Sequence, residues 1–283
     1  MMNALADTAA ASDAAEFSFG TADFERVRRL IHERAGISLH DGKQAMVYSR
    51  LSRRLRALNH RSFGQYLQWL EQARGDAAER EWQEFVNCLT TNLTSFFREA
   101  HHFELLAQEL QRHRGRSLRI WCNAASTGEE PYSLAMTVID TLGAQADVRI
   151  FCSDIDTNVL EQARAGVYAH DARGLTEAQR KCHFLRGTGA NAGRMRVRPE
   201  LQRLVSFAPF NLMQPRWSFE AQFQIVFCRN VMIYFDAPTQ RSVLERMHRA
   251  MAPGALLFAG HSENFSHARE LFRLRGKTVY ERV

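Results

Sequence analysis

Between residues 20 and 90, apolar side chains recur at helical intervals. The pattern is clearest in the segment 43–59, where four apolar residues lie at positions i, i+4, i+8 and i+11 and so share one helix face. These residues are Val47, Leu51, Leu55 and Leu58. Similar periods occur in segments 24–36, 63–72 and 79–89. Residues 20–90 are therefore predicted to form a small all-helical domain.

Beyond residue 91 the pattern changes to short apolar runs separated by amphipathic stretches. Strand-like runs occupy residues 118–125, 148–155, 223–230, 255–260 and 278–283. Helix-like stretches at 129–143, 157–167 and 239–251 fill most of the gaps. Such alternation is typical of a parallel sheet with helices on both faces. Residues 91–283 are therefore predicted to form one α/β domain with a Rossmann-like sheet.

Two segments differ from these domains. Residues 183–209 are first rich in glycine and then β-like, which predicts a small antiparallel β-subdomain inserted at about 180–210. Residues 1–19 are rich in alanine and contain Asp7 and Asp13, where a signal peptide would have basic residues. We predict that this segment is a disordered tail.

Composition narrows the choice of partners and location. The longest apolar runs are far too short to cross a bilayer, so we expect a cytoplasmic protein without membrane insertion. The five cysteines form no CxxC pair, which predicts reduced thiols, no disulfide and no metal site. A net charge of +6 suits nucleic acid, membrane headgroups or an acidic protein equally. A monomer is the default expectation.

Polar residues follow two neighbouring strands of the predicted sheet. The first strand leads into 123–133, where a tight turn and a helix N-terminus can bind a ligand. An ordinary helix start with Ser126 or Thr127 as N-cap is the alternative. The second strand ends at Asp154. We favour Asp154 as an acceptor for ribose hydroxyls and Asp156 as the cap of the next helix, although the reverse remains open.

A third strand, at 223–230, runs into Arg229, Asn230 and Tyr234 at the same edge of the sheet. Tyr234 in the core and Arg229 on the surface would be the ordinary alternative. Three polar strand ends on one rim favour a binding site. Upstream, Thr94 and Arg98 lie beside the Phe96–Phe97 pair, where Thr94 as a helix cap and Arg98 as a solvated cation are also possible.

Five segments resemble, in the same order, the signature segments of the CheR-type chemotaxis receptor methyltransferases. They are NLTSFFREAHHF, AASTGEEPYSLA, FCSDIDTNVLEQARAGVY, FCRNVMIYFD and FAGHSENF. The resemblance covers about residues 20 to 283. It implies a helical domain followed by an α/β domain that binds S-adenosylmethionine (SAM) and carries a small β-subdomain. It also implies methyl transfer from SAM to glutamate side chains on the cytoplasmic helices of chemoreceptors, with S-adenosylhomocysteine (SAH) as the second product.

The resemblance further implies individual site residues. The cofactor site would contain Asn92, Thr94, Arg98, Glu129, Asp154, Asn211, Leu212, Arg229 and Asn230. Arg98 and Tyr234 would be the catalytic residues nearest the transferring methyl. The loop 186–193 resembles the form of the β-subdomain that holds a receptor's C-terminal peptide, with contacts from Arg186, Gly187, Gly189, Gly193 and Arg196.

A basic flank accompanies the apolar stripe of segment 43–59. Arg50, Arg53 and Arg54 lie at positions i, i+3 and i+4. Such a pattern usually marks a solvated helix face. With the resemblance in view, we favour a docking surface for the acidic receptor helices that bear the target glutamates.

Two other function classes compete with receptor methylation. A nucleic-acid methyltransferase would suit the basic charge, but segment 227–236 lacks the Asn/Asp-Pro-Pro-Tyr/Phe type of motif for amino-group methylation, and the chain has no Pro-Cys dipeptide. We therefore expect no nucleic-acid partner. A non-catalytic SAM-binding or docking module is disfavoured by the presence of Arg98 and Tyr234. A glutamate nucleophile has an unperturbed pKa of about 4.3, so its methylation needs no general base.

Overall fold

The computed structural model describes residues 16–283. Most of the predicted tail at 1–19 lies outside the described residues. Its last part is packed, since the rings of Phe17 and Phe19 lie with their centroids 6.3 and 4.3 Å from that of Phe63. The helical domain therefore includes residues that the prediction assigned to the tail.

The N-terminal domain is helical, as predicted. Its helices are α1 (Thr21–Ala35), α2 (Gln44–Ala57), α3 (Phe63–Gln72) and α4 (Asp76–Leu89). Val47, Leu51 and Leu55 are fully buried, which confirms the apolar stripe of α2. α1 stops at Gly36, whose φ of +72° is a left-handed conformation that glycine adopts without strain.

The remaining helices and strands alternate. The helices are α5 (His101–Arg112), α6 (Glu129–Leu142), α7 (Thr157–Ala165), α8 (Glu177–His183), α9 (Pro199–Gln202) and α10 (Ala237–Ala250). The strands are β1 (Leu118–Cys122), β2 (Val148–Asp154), β3 (Val167–Ala169), β4 (Phe184–Arg186), β5 (Arg194–Val197), β6 (Val205–Pro209), β7 (Phe223–Cys228), β8 (Met251–Ala259), β9 (Phe272–Gly276) and β10 (Val279–Arg282).

The main sheet has seven strands in the order β6-β2-β1-β7-β8-β10-β9. The first five are mutually parallel, as predicted, whereas β10 and β9 add an antiparallel edge. The sequence pattern did not reveal β9, because only its first residue, Phe272, is buried. After β1 the chain adds β2 and β6 on one side and then returns to place β7 on the other. This reversal opens a crevice at the carboxyl ends of the strands, where ligands bind in such folds.

The small β-subdomain exists, but its bounds differ from the predicted 180–210. Strands β3, β5 and β4 form a three-stranded antiparallel sheet that begins at Val167 and ends at Val197. Residues Val205–Pro209, which we had assigned to it, are β6 and pair in parallel with β2. The error arises because β3 has only three residues, two of them exposed, and because no residue of the edge strand β6 is fully buried. In the part of the chain that the structure describes, no helix is long and apolar enough to cross a membrane.

Candidate active site

The carboxyl ends of β1, β2, β6 and β7 open into one cleft with about 900 Å³ of empty space, part of which is open to solvent. Most residues that the sequence proposed for the cofactor or for catalysis line it: Asn92, Thr94, Arg98, Asp154, Asn211, Leu212, Arg229, Asn230 and Tyr234. Residues almost 150 positions apart in the chain therefore meet at one site.

The helical domain forms one wall of this cleft. Ala35 and Ile37, at the end of α1, are among the lining residues. Ile37 forms an antiparallel bridge with Phe235, and the Ser38 N–H donates to the Tyr234 carbonyl at 2.7 Å. The loop that carries Tyr234 is thereby attached to the helical domain, so both domains determine where its side chain lies.

The turn after β1 brings backbone close to Asp154. Ser126 has a positive φ of 47°, and its N–H donates to Asp154 Oδ2 at 2.8 Å. α6 then begins after Gly128, and neither Ser126 nor Thr127 caps it, so that alternative is wrong. Gly128 has φ +98°, and a Cβ there would lie 2.6 Å from Tyr168 Oη. Only glycine suits this turn.

Asp154 and Asp156 are linked, since the Asp156 N–H donates to Asp154 Oδ1 at 3.0 Å, but their side chains make different contacts. Asp156 caps α7 by accepting from the Asn158 N–H at 3.0 Å, which confirms the capping interpretation. It also accepts from Asn92 Nδ2 at 2.7 Å, and this bond anchors the loop that contains Asn92. Asp154 is 8% exposed and lines the cleft, and burial raises its pKa to about 6. Its placement leaves it available as a ligand acceptor.

Arg229 is buried in a charge network. Its guanidinium pairs with Glu130 and, at 3.2 Å, with Glu99. It also donates to the Arg98 carbonyl at 2.5 Å. Burial opposes the charge, but the carboxylates of Glu130 and Glu99 raise the pKa of Arg229. Arg229 thus holds the backbone of Arg98 in place, a role that its sequence position did not indicate.

Arg98 and Tyr234 face the cleft and are both partly exposed. Arg98 Nη1 donates to the Leu93 carbonyl at 3.0 Å, so the side chain folds over the loop at the mouth of the cleft. Thr94 does not cap α5, whose N-cap is Ala100, and instead lines the cleft. Among the described residues, no histidine or cysteine lines this cleft.

Glu129 does not line the cleft, although the sequence placed it in the cofactor site. Its carboxylate accepts from Thr127 Oγ1 at 2.6 Å, and burial raises its pKa. The adjacent Glu130 lines the cleft instead and carries the ion pair with Arg229. The cofactor contact of Glu129 stays a prediction.

Glu263 is a supporting residue that the sequence analysis did not single out. It is 4% exposed and accepts the backbone N–H groups of Asn230, Val231 and Met232 at 2.8–3.0 Å, and that of Gly260 at 2.5 Å. Burial raises the pKa of Glu263, and these N–H groups oppose that shift. Glu263 therefore ties the loops after β7 and β8 together and holds Asn230 at the cleft. The sequence did contain one signal for Glu263, since this residue lies in FAGHSENF, one of the five segments that resemble the family.

The three arginines of α2 differ in their surroundings. Arg54 pairs with Glu81, which is 5% exposed on its side chain, and Arg50 Nη1 donates to the Thr90 carbonyl at 2.5 Å. Arg53 is exposed, and no ion pair involves it within residues 16–283. Two of the three predicted docking residues thus support the fold itself, because their partners lie on α4 and just after it.

The predicted peptide-binding residues cluster on the β-subdomain. Arg186 ends β4, whose outer edge pairs with no strand in the described chain, and Arg196 lies exposed on β5 between Val167 and Leu185. The glycines shape the β4–β5 loop: Gly189 and Gly193 have φ of +56° and +80°, and a Cβ on Gly187 would collide with the Asn191 carbonyl. The subdomain thus has an open strand edge beside a basic face.

Comparison with known proteins covers both domains. The family model for the CheR methyltransferase all-alpha domain matches residues 22–90, and that for the CheR methyltransferase SAM binding domain matches residues 92–281. The chain is 54% identical over 261 residues to the chemotaxis protein methyltransferase of Escherichia coli (strain K12), covering 92% of this chain and 90% of that one. It is 52% identical over 275 residues to the chemotaxis protein methyltransferase of Klebsiella aerogenes, covering 96% and 93%. Chemotaxis protein methyltransferase 2 of Pseudomonas aeruginosa is 52% identical over 271 residues, covering 94% of each chain.

Proposed function

Because this chain belongs to the CheR methyltransferase family, we propose that its cleft transfers the methyl group of SAM to glutamate side chains of a chemotaxis receptor. The observation that carries this proposal is the convergence of nine family-implied residues on one cleft at the strand ends. The cytoplasmic helices of the receptor are the acceptor, so the reaction takes place in the cytoplasm.

The residues present fit SAM. At the end of β2 the cleft contains a buried carboxylate, Asp154, which can accept from ribose hydroxyls. Asn211 and Leu212 follow β6, which lies beyond β2 from β1 and β7, and would contact the base. Asn230 and the loop with Asn92 and Thr94 would surround the rest of the SAM molecule. These individual contacts are part of the proposal.

The chemistry requires alignment and not proton transfer. Bound SAM supplies an electrophilic methyl on its sulfonium, and a glutamate carboxylate displaces SAH from it. The absence of histidine and cysteine from the described cleft lining suits a nucleophile that is already ionised at neutral pH. Arg98 would bind one carboxylate oxygen, and Tyr234 would orient the other toward the methyl. Such positioning can supply most of the rate enhancement.

The test is an acceptor comparison with methyl-labelled SAM. Equal amounts of receptor, RNA and DNA are offered to the protein in parallel. We expect label in the receptor fraction alone. Label in either nucleic acid would favour the competing methyltransferase class, and no transfer with intact SAH binding would favour a binding module.

The raised pKa of Asp154 predicts a pH dependence of cofactor affinity. The ionised carboxylate is the form that accepts ribose hydroxyls, so binding below its pKa of about 6 must first expel a proton. Affinity for SAH should therefore fall up to about tenfold per pH unit below pH 6 and stay level above it. Calorimetric titration from pH 5 to 8 measures this. Asp154→Asn should bind more weakly at pH 7 and lose the pH dependence, whereas an unchanged profile would assign the ribose contact to another residue.

We also propose that the β-subdomain binds the C-terminal peptide of a receptor. The outer edge of β4 can be extended by a peptide strand, and the exposed Arg186 and Arg196 suit a terminal carboxylate. The left-handed φ of Gly189 keeps the β4–β5 loop compact beside that edge.

Gly189→Val should abolish peptide binding, because a β-branched side chain is strained at φ +56° and would remodel the loop. Fluorescence titration with a labelled receptor C-terminal pentapeptide measures it, and SAH affinity should not change. Gly115→Val is the matched control, since Gly115 has φ +79° and similarly open surroundings. If the wild-type protein binds no such pentapeptide, the β-subdomain has only a structural role.

Charge reversal should have different effects at Arg53 and at Arg54 of α2. Arg53→Glu should slow methylation of intact receptor about two- to fivefold at low salt, with a weaker salt dependence and unchanged stability. Arg54→Glu should instead lower the free energy of unfolding by about 3 kcal/mol, because it leaves the buried Glu81 carboxylate beside a like charge. Methylation rates across a salt series and urea unfolding distinguish the two effects. Equal rates for Arg53→Glu and wild type would make Arg53 a solvated side chain.

A further inference from the structure

Asn123 directly follows β1 and lines the cleft, but neither polar atom of its side-chain amide has a nitrogen or oxygen hydrogen-bond partner. The residue is 3% exposed. Within residues 16–283, no other buried side chain leaves two polar atoms without a partner. The amide is in hydrogen-bond contact with the Cys228 thiol, but a thiol is a weak partner and cannot satisfy both polar atoms of an amide.

An unsatisfied buried amide destabilises a fold, and such groups occur mainly where a ligand or water completes their bonding. The Asn123 backbone cannot turn away, since its N–H donates to the Phe227 carbonyl at 3.0 Å in the pairing of β1 with β7. An apolar side chain of equal size would pack here without the same cost. A polar amide at this buried position therefore points to a polar ligand group.

The order of the strand ends along the cleft indicates which part of the ligand lies at Asn123. Along the cleft, Asn211 follows β6, Asp154 ends β2, Asn123 follows β1, and Asn230 follows β7. If the ribose lies at Asp154 and the methyl near Arg98, the amino-acid end of SAM passes Asn123. This step rests on the proposed function.

We propose that Asn123 is a cofactor-binding residue that recognises the α-amino-acid end of SAM. A primary amide has both an acceptor oxygen and a donor nitrogen. The ammonium and carboxylate of an amino acid offer the matching donor and acceptor. Asn123 thereby distinguishes SAM and SAH from nucleosides that lack this end.

The test uses two ligands, SAH and 5′-methylthioadenosine, which retains the nucleoside and thioether but has no amino acid. Calorimetric titration of Asn123→Ala should show SAH affinity reduced about tenfold or more and 5′-methylthioadenosine affinity changed less than about twofold. The melting temperature without ligand should be unchanged or higher, since the variant removes an unsatisfied group. Asn123→Leu keeps the branched shape of the side chain and should also lose SAH affinity, and the exposed Asn191 serves as control through Asn191→Ala.

Two results would overturn the inference. One is unchanged SAH affinity in both folded Asn123 variants, which would mean that water satisfies the amide. The other is an equal loss for both ligands, which would place the contact on the nucleoside. Failure of the wild-type protein to bind SAH would instead overturn the proposed function, and this inference with it.

Discussion

Arg98→Ala is expected to lower kcat for receptor methylation by about 10²-fold or more, with SAH affinity changed less than about threefold. The expected loss is that of a donor which acts on the reacting groups. Arg98 is suited to this role because its side chain lies at the mouth of the cleft, held by the Leu93 carbonyl, while Arg229 holds its backbone. A guanidinium in this position can bind the incoming carboxylate as it approaches the methyl.

The measurement is a steady-state series with receptor and SAM varied separately, joined to SAH calorimetry. Arg98→Lys should recover only part of kcat, because an ammonium lacks the planar arrangement of donors. Tyr234→Phe should lower kcat more modestly, since only the orientation of the nucleophile is lost. A variant that loses mainly SAH affinity would show that Arg98 binds the methionine carboxylate instead.

Arg229→Met is expected to destabilise the protein by about 3–5 kcal/mol, the range for removing one partner of a buried ion pair. The change would leave the buried Glu130 and the partly buried Glu99 without the cation that pairs with both. It would also free the Arg98 carbonyl, so kcat should fall together with stability. Urea unfolding without ligand measures the first effect.

Two further variants test whether the loss of stability comes from the buried ion pairs of Arg229. Adding Glu130→Gln to Arg229→Met removes one uncompensated charge and should recover part of the lost stability. Arg241→Met, which breaks exposed ion pairs with Glu245 and Glu270, should change stability little. If Arg229→Met unfolds at the same urea concentration as wild type, the buried network contributes nothing to the fold.

The sequence pattern predicted helices and strands correctly where one face of the element, or the whole element, is buried. The stripe of α2 and the apolar runs of β1, β2 and β7 are unambiguous because each has nearly all of its inward positions occupied by large apolar residues. β6 and β9 lie at the two edges of the sheet and are largely solvent-facing, so their hydrophobic signal is weak. Edge strands are specified by their neighbours more than by their own residues.

The sequence predicted which polar residues lie at the edge of the sheet. It did not predict which of them pair with one another. Polar residues at strand ends are visible in the sequence, and parallel topology brings them together. Ion pairs between distant positions are not visible. The engagement of Arg54 by Glu81 and of Arg229 by Glu130 depends on packing that no local pattern encodes. For the same reason the four N–H groups that converge on Glu263 were found only in the structure.

The chemical form of the product tests the central claim most directly. After reaction with methyl-labelled SAM, the labelled receptor is treated with mild alkali and the volatile fraction is collected. Glutamyl methyl esters release their label as methanol, so we expect nearly all receptor label in the volatile fraction, and none in receptor whose acceptor glutamates are changed to alanine. Label that stays on the receptor through alkali would show methylation of nitrogen or another stable site, and would contradict the account.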